Sequence, residues 1–157
     1  MSEKDMVRRV ALGCDHSSFP QKQALVRYLE VLGYRVTDVG CSSLEKVDYP
    51  DIAIAVCRHV VSGECERGIV LDGAGIGSAM VGNKIKGIRA AMCYDIRTVI
   101  SSREHNNANV LTLGGPLHGA EQLADMAKTW LATRFGGGRH MARVNKIMAI
   151  ERGGFGE

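Results

Sequence analysis

Residues 68–84 read GIVLDGAGIGSAMVGNK, an apolar run that breaks into alternating glycines with one carboxylate, Asp72, at their entrance. Gly73, Gly75 and Gly77 lack a Cβ, so a loop built on them can turn backbone N–H groups toward an anion, helped by the helix start that follows. Three spaced glycines exceed what a tight strand-to-helix turn requires. The segment reads as an anion or oxyanion cradle, with a bare turn as the alternative. It is not a dinucleotide fingerprint: Gly73-x-Gly75 leads to Ser78, Gly75-x-Gly77 leads to Met80, and the loop follows the third strand. Nor is it a P-loop, because no Gly-Lys-Ser/Thr closes the run.

Other polar groups are candidates to meet it. Asp15 and His16 directly follow an apolar run, and REHNNAN (103–109) carries His105, Asn106 and Asn107 into another. All three stretches are expected to converge on one sheet edge, although the asparagines alone would suit a turn. Arg139 and Arg143 lie four apart, on one face of a helix, where two guanidiniums suit a phosphate or a carboxylate. A solvated face is the plainer account of that pair.

The elements that must hold these groups alternate in type. Strand-like stretches fall at 9–15, 34–40, 67–73, 87–95 and 107–115. Helical spacing marks 19–33, where Gly33 is the expected stop, then 51–63 after Pro50, 95–105, 118–135 and a basic helix at 139–150. Alternation of this kind predicts βαβ units, and unbroken apolar strands such as IVL predict burial on both faces. The expected fold is α/β: a three-layer α/β/α sandwich, Rossmann-like, with a mostly parallel sheet of about five strands, and residues 1–157 forming one domain. In such sheets ligands bind beyond the carboxyl ends of the strands.

Composition narrows the function class. A 157-residue chain that is 45% hydrophobic and 24% charged has the makings of a packed core, which argues against disorder. The net charge of +3 is mild, and the basic C-terminal region has no interleaved aromatic residues, so a local anion site is favoured over a nucleic-acid surface. No stretch approaches the length of a membrane span, and the charged start MSEKDMVRRV does not suit a secretory signal, so a cytoplasmic location is expected. The five cysteines are odd in number and lack C-x-x-C spacing, so they read as reduced, mostly packing thiols with no zinc site.

GCDHSSFPQK, VDYP, GAGIGSAMVGNKIKGIRAA, REHNNANVLTLGG and GGGRHMARV, in this order and spacing, resemble the type B ribose-5-phosphate isomerases and the related galactose-6-phosphate isomerase subunits. The resemblance covers nearly the whole chain. It implies aldose–ketose interconversion of a phosphorylated sugar, by default ribose 5-phosphate and ribulose 5-phosphate, through a cis-enediolate and without metal or organic cofactor. It also implies a homodimer, or a dimer of dimers, whose partners share each active site. By position, Asp15 and His16 would contact the sugar and Tyr49 would line the pocket. The Gly73–Gly77 amides would stabilise the enediolate oxygen, with Ser78 in the same loop. His105 would assist ring opening beside Asn106, and Arg139 and Arg143 would hold the phosphate across the interface.

The chain departs from the family pattern at the catalytic loop. Many type B enzymes have a cysteine base where Asp72 stands, and a Thr or Ser where Ala74 stands. Another branch uses a Glu at the position of Ser78, and an Arg frequent after the fifth strand is replaced around Pro116. The loop is closer to the A subunit of galactose-6-phosphate isomerase, where an aspartate also occupies that place. The expectation is an isomerase with Asp72 as catalytic base. The alternatives are a weakly active subunit of a hetero-oligomer, an isomerase for a tetrose or hexose phosphate, and a sugar-phosphate binder. A receiver domain, with Asp15 and Asp72 mimicking a phosphoacceptor site at strands one and three, fails because that site needs an acidic pair after strand one, where Asp15-His16 stands, and a lysine after strand five, where TLGGP stands.

Overall fold

The computed structural model describes residues 7–154. In chain order the strands are β1 (Arg9–Cys14), β2 (Arg35–Asp38), β3 (Arg67–Asp72), β4 (Ala90–Met92) and β5 (Val110–Gly114). The helices are α1 (Phe19–Val31), α2 (Tyr49–Val61), α3 (Ile76–Gly82), α4 (Ile96–Glu104), α5 (Ala120–Ala132) and α6 (Arg139–Ile150). The strands lie in the order β2-β1-β3-β5-β4, and every pairing is parallel. After β2 the chain crosses to the far side of β1, so the order reverses between β1 and β3. That is the topological switch point at which open α/β sheets hold their ligands.

The alternation of side chains along each strand builds two cores. Val10, Leu12, Cys14, Ile69, Leu71, Leu111 and Leu113 point to the face covered by α1, α4 and α5, where Trp130 is wholly buried. Ala11, Val70 and Val110 point to the face covered by α2 and α3, with Val56 and Cys57 opposite. This second layer sits very close to the sheet: a Cβ on Gly68 would lie 2.6 Å from a Val56 methyl carbon. The three-layer, all-parallel sandwich is the architecture that the sequence implies.

Boundaries shift for local reasons. Helix α2 opens at Tyr49 rather than after Pro50, because a proline in the first helical turn gives up only an N–H that would have no partner there. Strand β4 is far shorter than 87–95. Gly87 is left-handed (φ 86°), and Asp95 already caps α4, its side chain accepting from the Thr98 amide. Helix α1 stops where expected, with Gly33 left-handed at φ 91°. Helix α5 ends at Ala132, short of 135, and α6 spans 139–150 as predicted. Among the described residues no helix is long and apolar enough to cross a membrane, and all five cysteines are free and buried.

Candidate active site

Asp15 follows β1 and Asp72 ends β3, so the two carboxylates flank the switch point on adjacent strands. The Asp15 amide donates to the Leu71 carbonyl at 3.0 Å, which ties the two loops together. Asp15 is 8% exposed, and its Oδ1 accepts from the Ser17 amide (3.0 Å) and hydroxyl (2.6 Å). His16 is half-buried, and its Nδ1 accepts from the Val47 amide at 3.3 Å, leaving Nε2 as the donor of the neutral ring. Tyr49, at the start of α2, reaches over from the other side of the loop.

Each glycine of the loop has its own reason. Gly75 is left-handed (φ 78°), and a Cβ there would press on the Leu113 backbone at 3.0 Å. A Cβ on Gly77 would lie 2.5 Å from the Tyr49 ring, so the ring rests directly on that backbone. Gly73 has nothing within 4 Å of its Cβ position and leaves the loop open to an approaching group.

Asp72 organises this loop from within. It is 4% exposed, and the four hydrogen bonds to its carboxylate come from the glycine loop and the first turn of α3. Oδ1 accepts from the amides of Ala74 (2.9 Å) and Gly75, and Oδ2 accepts from the amide (3.1 Å) and hydroxyl of Ser78. The cradle is therefore not the one that the glycine spacing suggests. The Gly75 amide is turned inward to Asp72, whereas the amides of Gly73, Ile76 and Gly77 have no hydrogen-bond partner among the described residues. Ser78 likewise faces Asp72. Two supports escaped the sequence reading. Thr112 Oγ1, inside β5, donates to the Gly75 carbonyl at 2.6 Å, and Ser18 Oγ donates to the Asp72 carbonyl at 3.3 Å. A lone threonine in the apolar run VLTLG was the available signal for the first.

His105 and Asn106 do not join this edge, which corrects the expected convergence. In a parallel sheet, residues that lead into a strand lie at the opposite end from those that leave one. The Gly68 amide, at the start of β3, donates to the Asn109 carbonyl at 3.0 Å, while Asp72 pairs with Gly114. Four residues of strand, about 13 Å, separate those two ends. His105 caps α4 at the far edge with Nδ1 3.2 Å from Ser101 Oγ, and Asn106 is exposed beside it.

The N-terminal turn of α6 shares that far edge. The His140 ring stacks on His105 with centroids 4.4 Å apart and planes at 16°. The Gly136 amide donates to the Glu104 carbonyl at 2.9 Å, which fixes the approach of the Gly136–Gly138 segment. Arg139 and Arg143 are exposed, and their guanidiniums make no hydrogen bond or ion pair among the described residues. Desolvation, then the neighbouring His105, Arg139 and Arg143, pulls the His140 imidazole below its usual pKa. The chain thus carries two sets of candidate groups on opposite edges: Asp15, His16, Tyr49 and the Asp72 loop on one, His105, Asn106, Arg139 and Arg143 on the other.

Comparison with known proteins covers nearly the whole chain. The profile of the Ribose/Galactose Isomerase family matches residues 10–147, a span that includes every candidate residue. The chain is 39% identical to Ribose-5-phosphate isomerase B of Escherichia coli, over 93% of this chain and 98% of that one. It is 37% identical to the D-erythrulose-4-phosphate isomerase of Pectobacterium atrosepticum, over 88% of this chain and 91% of that one. The solved structure of Clostridium thermocellum Ribose-5-Phosphate Isomerase B superposes with a TM-score of 0.90 at 43% identity, covering 92% of this chain and 98% of that one. Matched in sequence across both edges and in fold across the whole sheet, the chain belongs to the ribose/galactose isomerase family.

Proposed function

We propose that the protein is an aldose–ketose isomerase of a phosphorylated sugar, and that ribose 5-phosphate and ribulose 5-phosphate are its substrate pair. The observation that carries the reading is the Asp72 loop: a buried carboxylate at the β1/β3 switch point, adjoined by unpaired amides. Family membership supports the substrate class, and the relative named Ribose-5-phosphate isomerase B supports the five-carbon sugar.

The chemistry follows from those groups. Three of the donors to Asp72 are backbone amides held by the loop, but the Ser78 hydroxyl can rotate away. The Oδ2 lone pair it occupies is the one released to take the C2 proton of the open-chain aldose. The C2–H electron pair becomes the C1=C2 bond, and charge passes to the carbonyl oxygen. The Gly73, Ile76 and Gly77 amides stabilise that enediolate oxygen as it forms. Asp72 then returns its proton to C1, while the O2 proton passes to O1 and leaves the C2 ketone. Asp15 and His16 hold sugar hydroxyls, and Tyr49 walls the pocket.

His105 with Asn106 assists ring opening, and Arg139 with Arg143 holds the phosphate. One substrate meets both sets only if the far edge of a second copy faces the Asp72 loop, so the working unit is a homodimer with shared sites. No metal or organic cofactor enters this scheme. The test is an assay of purified protein against aldose and ketose phosphates of four, five and six carbons. Fastest turnover of ribose 5-phosphate supports the proposal, and no turnover of any member refutes it. A four-carbon substrate is the second reading, favoured by the likeness to a D-erythrulose-4-phosphate isomerase, and fastest turnover of that sugar phosphate would select it.

A further inference from the structure

Away from the glycine loop, three arginines converge with no carboxylate between them. A cavity of about 670 Å³ is lined by Arg67 at the start of β3, Arg103 on α4 and Arg134 just beyond α5, with Tyr34 and Phe135 among its walls. None of His105, Asn106, Arg139 and Arg143 lines it. Arg103 is 3% exposed. Its Nε donates to the Thr133 carbonyl at 3.3 Å, and one terminal nitrogen donates to Asn107 Oδ1 at 2.9 Å and the Ala108 carbonyl at 2.5 Å. Its other terminal nitrogen has no hydrogen-bond partner among the described residues, although the guanidinium lies over the Trp130 ring, 5.9 Å from its centroid.

Arg67 spends one terminal nitrogen on the Glu66 carbonyl at 2.8 Å, and its buried Nε has no acceptor. The neighbouring Glu66 carboxylate is turned away, to the Arg9 amide at 2.7 Å and the Arg9 guanidinium at 3.2 Å. Arg134 stands exposed at the mouth.

A buried guanidinium donor without an acceptor, as Arg67 Nε is, is costly, and like charges held together are costly again. Desolvation first, and then the charges of Arg67 and Arg89, push Arg103 down to about 9. A tetrahedral oxyanion relieves both costs at once: it accepts from several guanidinium forks and cancels their repulsion. The apolar walls contributed by Val7, Leu131 and Phe135 leave room for a neutral body attached to the anion.

We infer that this cavity is a second anion site, formed by Arg67, Arg103 and Arg134, that takes the phosphate group of a small metabolite or free phosphate. It is independent of the isomerase reading, since none of its residues belongs to either set of candidate catalytic groups. The probe is inorganic phosphate, titrated calorimetrically into full-length protein carrying Arg139→Ala and Arg143→Ala, which removes the other basic pair. The expected result is about one phosphate per chain, with affinity falling at least about tenfold when Arg134→Ala is added. Arg67→Gln is the second variant, and thermal melting confirms that each variant is folded. Phosphate binding that is absent from the Arg139→Ala/Arg143→Ala protein, or unchanged by both added substitutions, overturns the inference. A parallel titration with glycerol phosphate distinguishes the sources: tighter binding of the ester identifies a phosphorylated metabolite, equal binding identifies free phosphate.

Discussion

Mixing two inactive variants should restore activity. Asp72 and His105 stand at opposite ends of the sheet in one chain, so a site that uses both takes them from two chains. Asp72→Asn removes the proton-carrying carboxylate and should lower turnover by roughly 10²–10⁴, the usual contribution of a positioned base. His105→Asn removes the group assigned to ring opening and should lower turnover of the cyclic substrate. In a one-to-one mixture, half of the dimers pair one variant with the other. Each such dimer holds one site with both groups intact and one with neither. After dissociation in mild denaturant and reassociation, the mixture should therefore recover about one quarter of the wild-type rate. The assay is steady-state turnover against subunit ratio, with sedimentation confirming the dimer. If the mixture stays at the mean of the two variants at every ratio, the shared-site account fails.

Three further outcomes follow from particular contacts. Gly77→Ala would drive a Cβ into the tip of the Tyr49 ring, at 2.5 Å, and because that ring is 39% exposed and can swing, the loss in denaturant titration should stay near the low end, about 1 kcal/mol. Adding Tyr49→Ala should return part of that loss, and a Gly77→Ala protein as stable as wild type would show that the ring is not held there. Lys22, 1% exposed, donates to both Asp38 oxygens (2.6 and 2.7 Å) and to the Cys41 carbonyl at 2.6 Å. Because Asp38 is partly exposed, Lys22→Met should cost about 2–3 kcal/mol, less than breaking a fully buried pair, and unchanged thermal unfolding would refute it. Arg139→Ala and Arg143→Ala should each weaken sugar-phosphate binding by about 1.5–3 kcal/mol, and binding unchanged in both variants reassigns them to a solvated face.

The fold was legible because its signals are local. The strand runs around Ile69–Leu71 and Val110–Leu113, the Gly33 stop and the helix at 139–150 all declare themselves within a few residues. The edges of the site were harder. REHNNAN and Asp72 both adjoin strands, but only the direction of the chain through a parallel sheet decides which end a residue occupies. His105 enters β5 and Asp72 leaves β3, so they part. The role of the loop amides was also hidden, since spacing shows which residues lack a Cβ and not which way their N–H groups turn. That direction is set by Asp72 itself, with Thr112 from within β5 and Ser18 from the turn after β1 holding the carbonyls.

The central claim is that Asp72 carries the proton between C2 and C1. Its most direct measurement is solvent-hydrogen exchange in heavy water, with ribose 5-phosphate as substrate and deuterium followed at C1 of the ketose. Wild-type protein should incorporate solvent deuterium as it isomerises the sugar, because a carboxylate-held proton can exchange with water. Asp72→Asn should bind the sugar phosphate with little change in affinity, while both exchange and turnover fall by roughly 10²–10⁴. Near wild-type exchange in Asp72→Asn would contradict the claim and move the base to another residue.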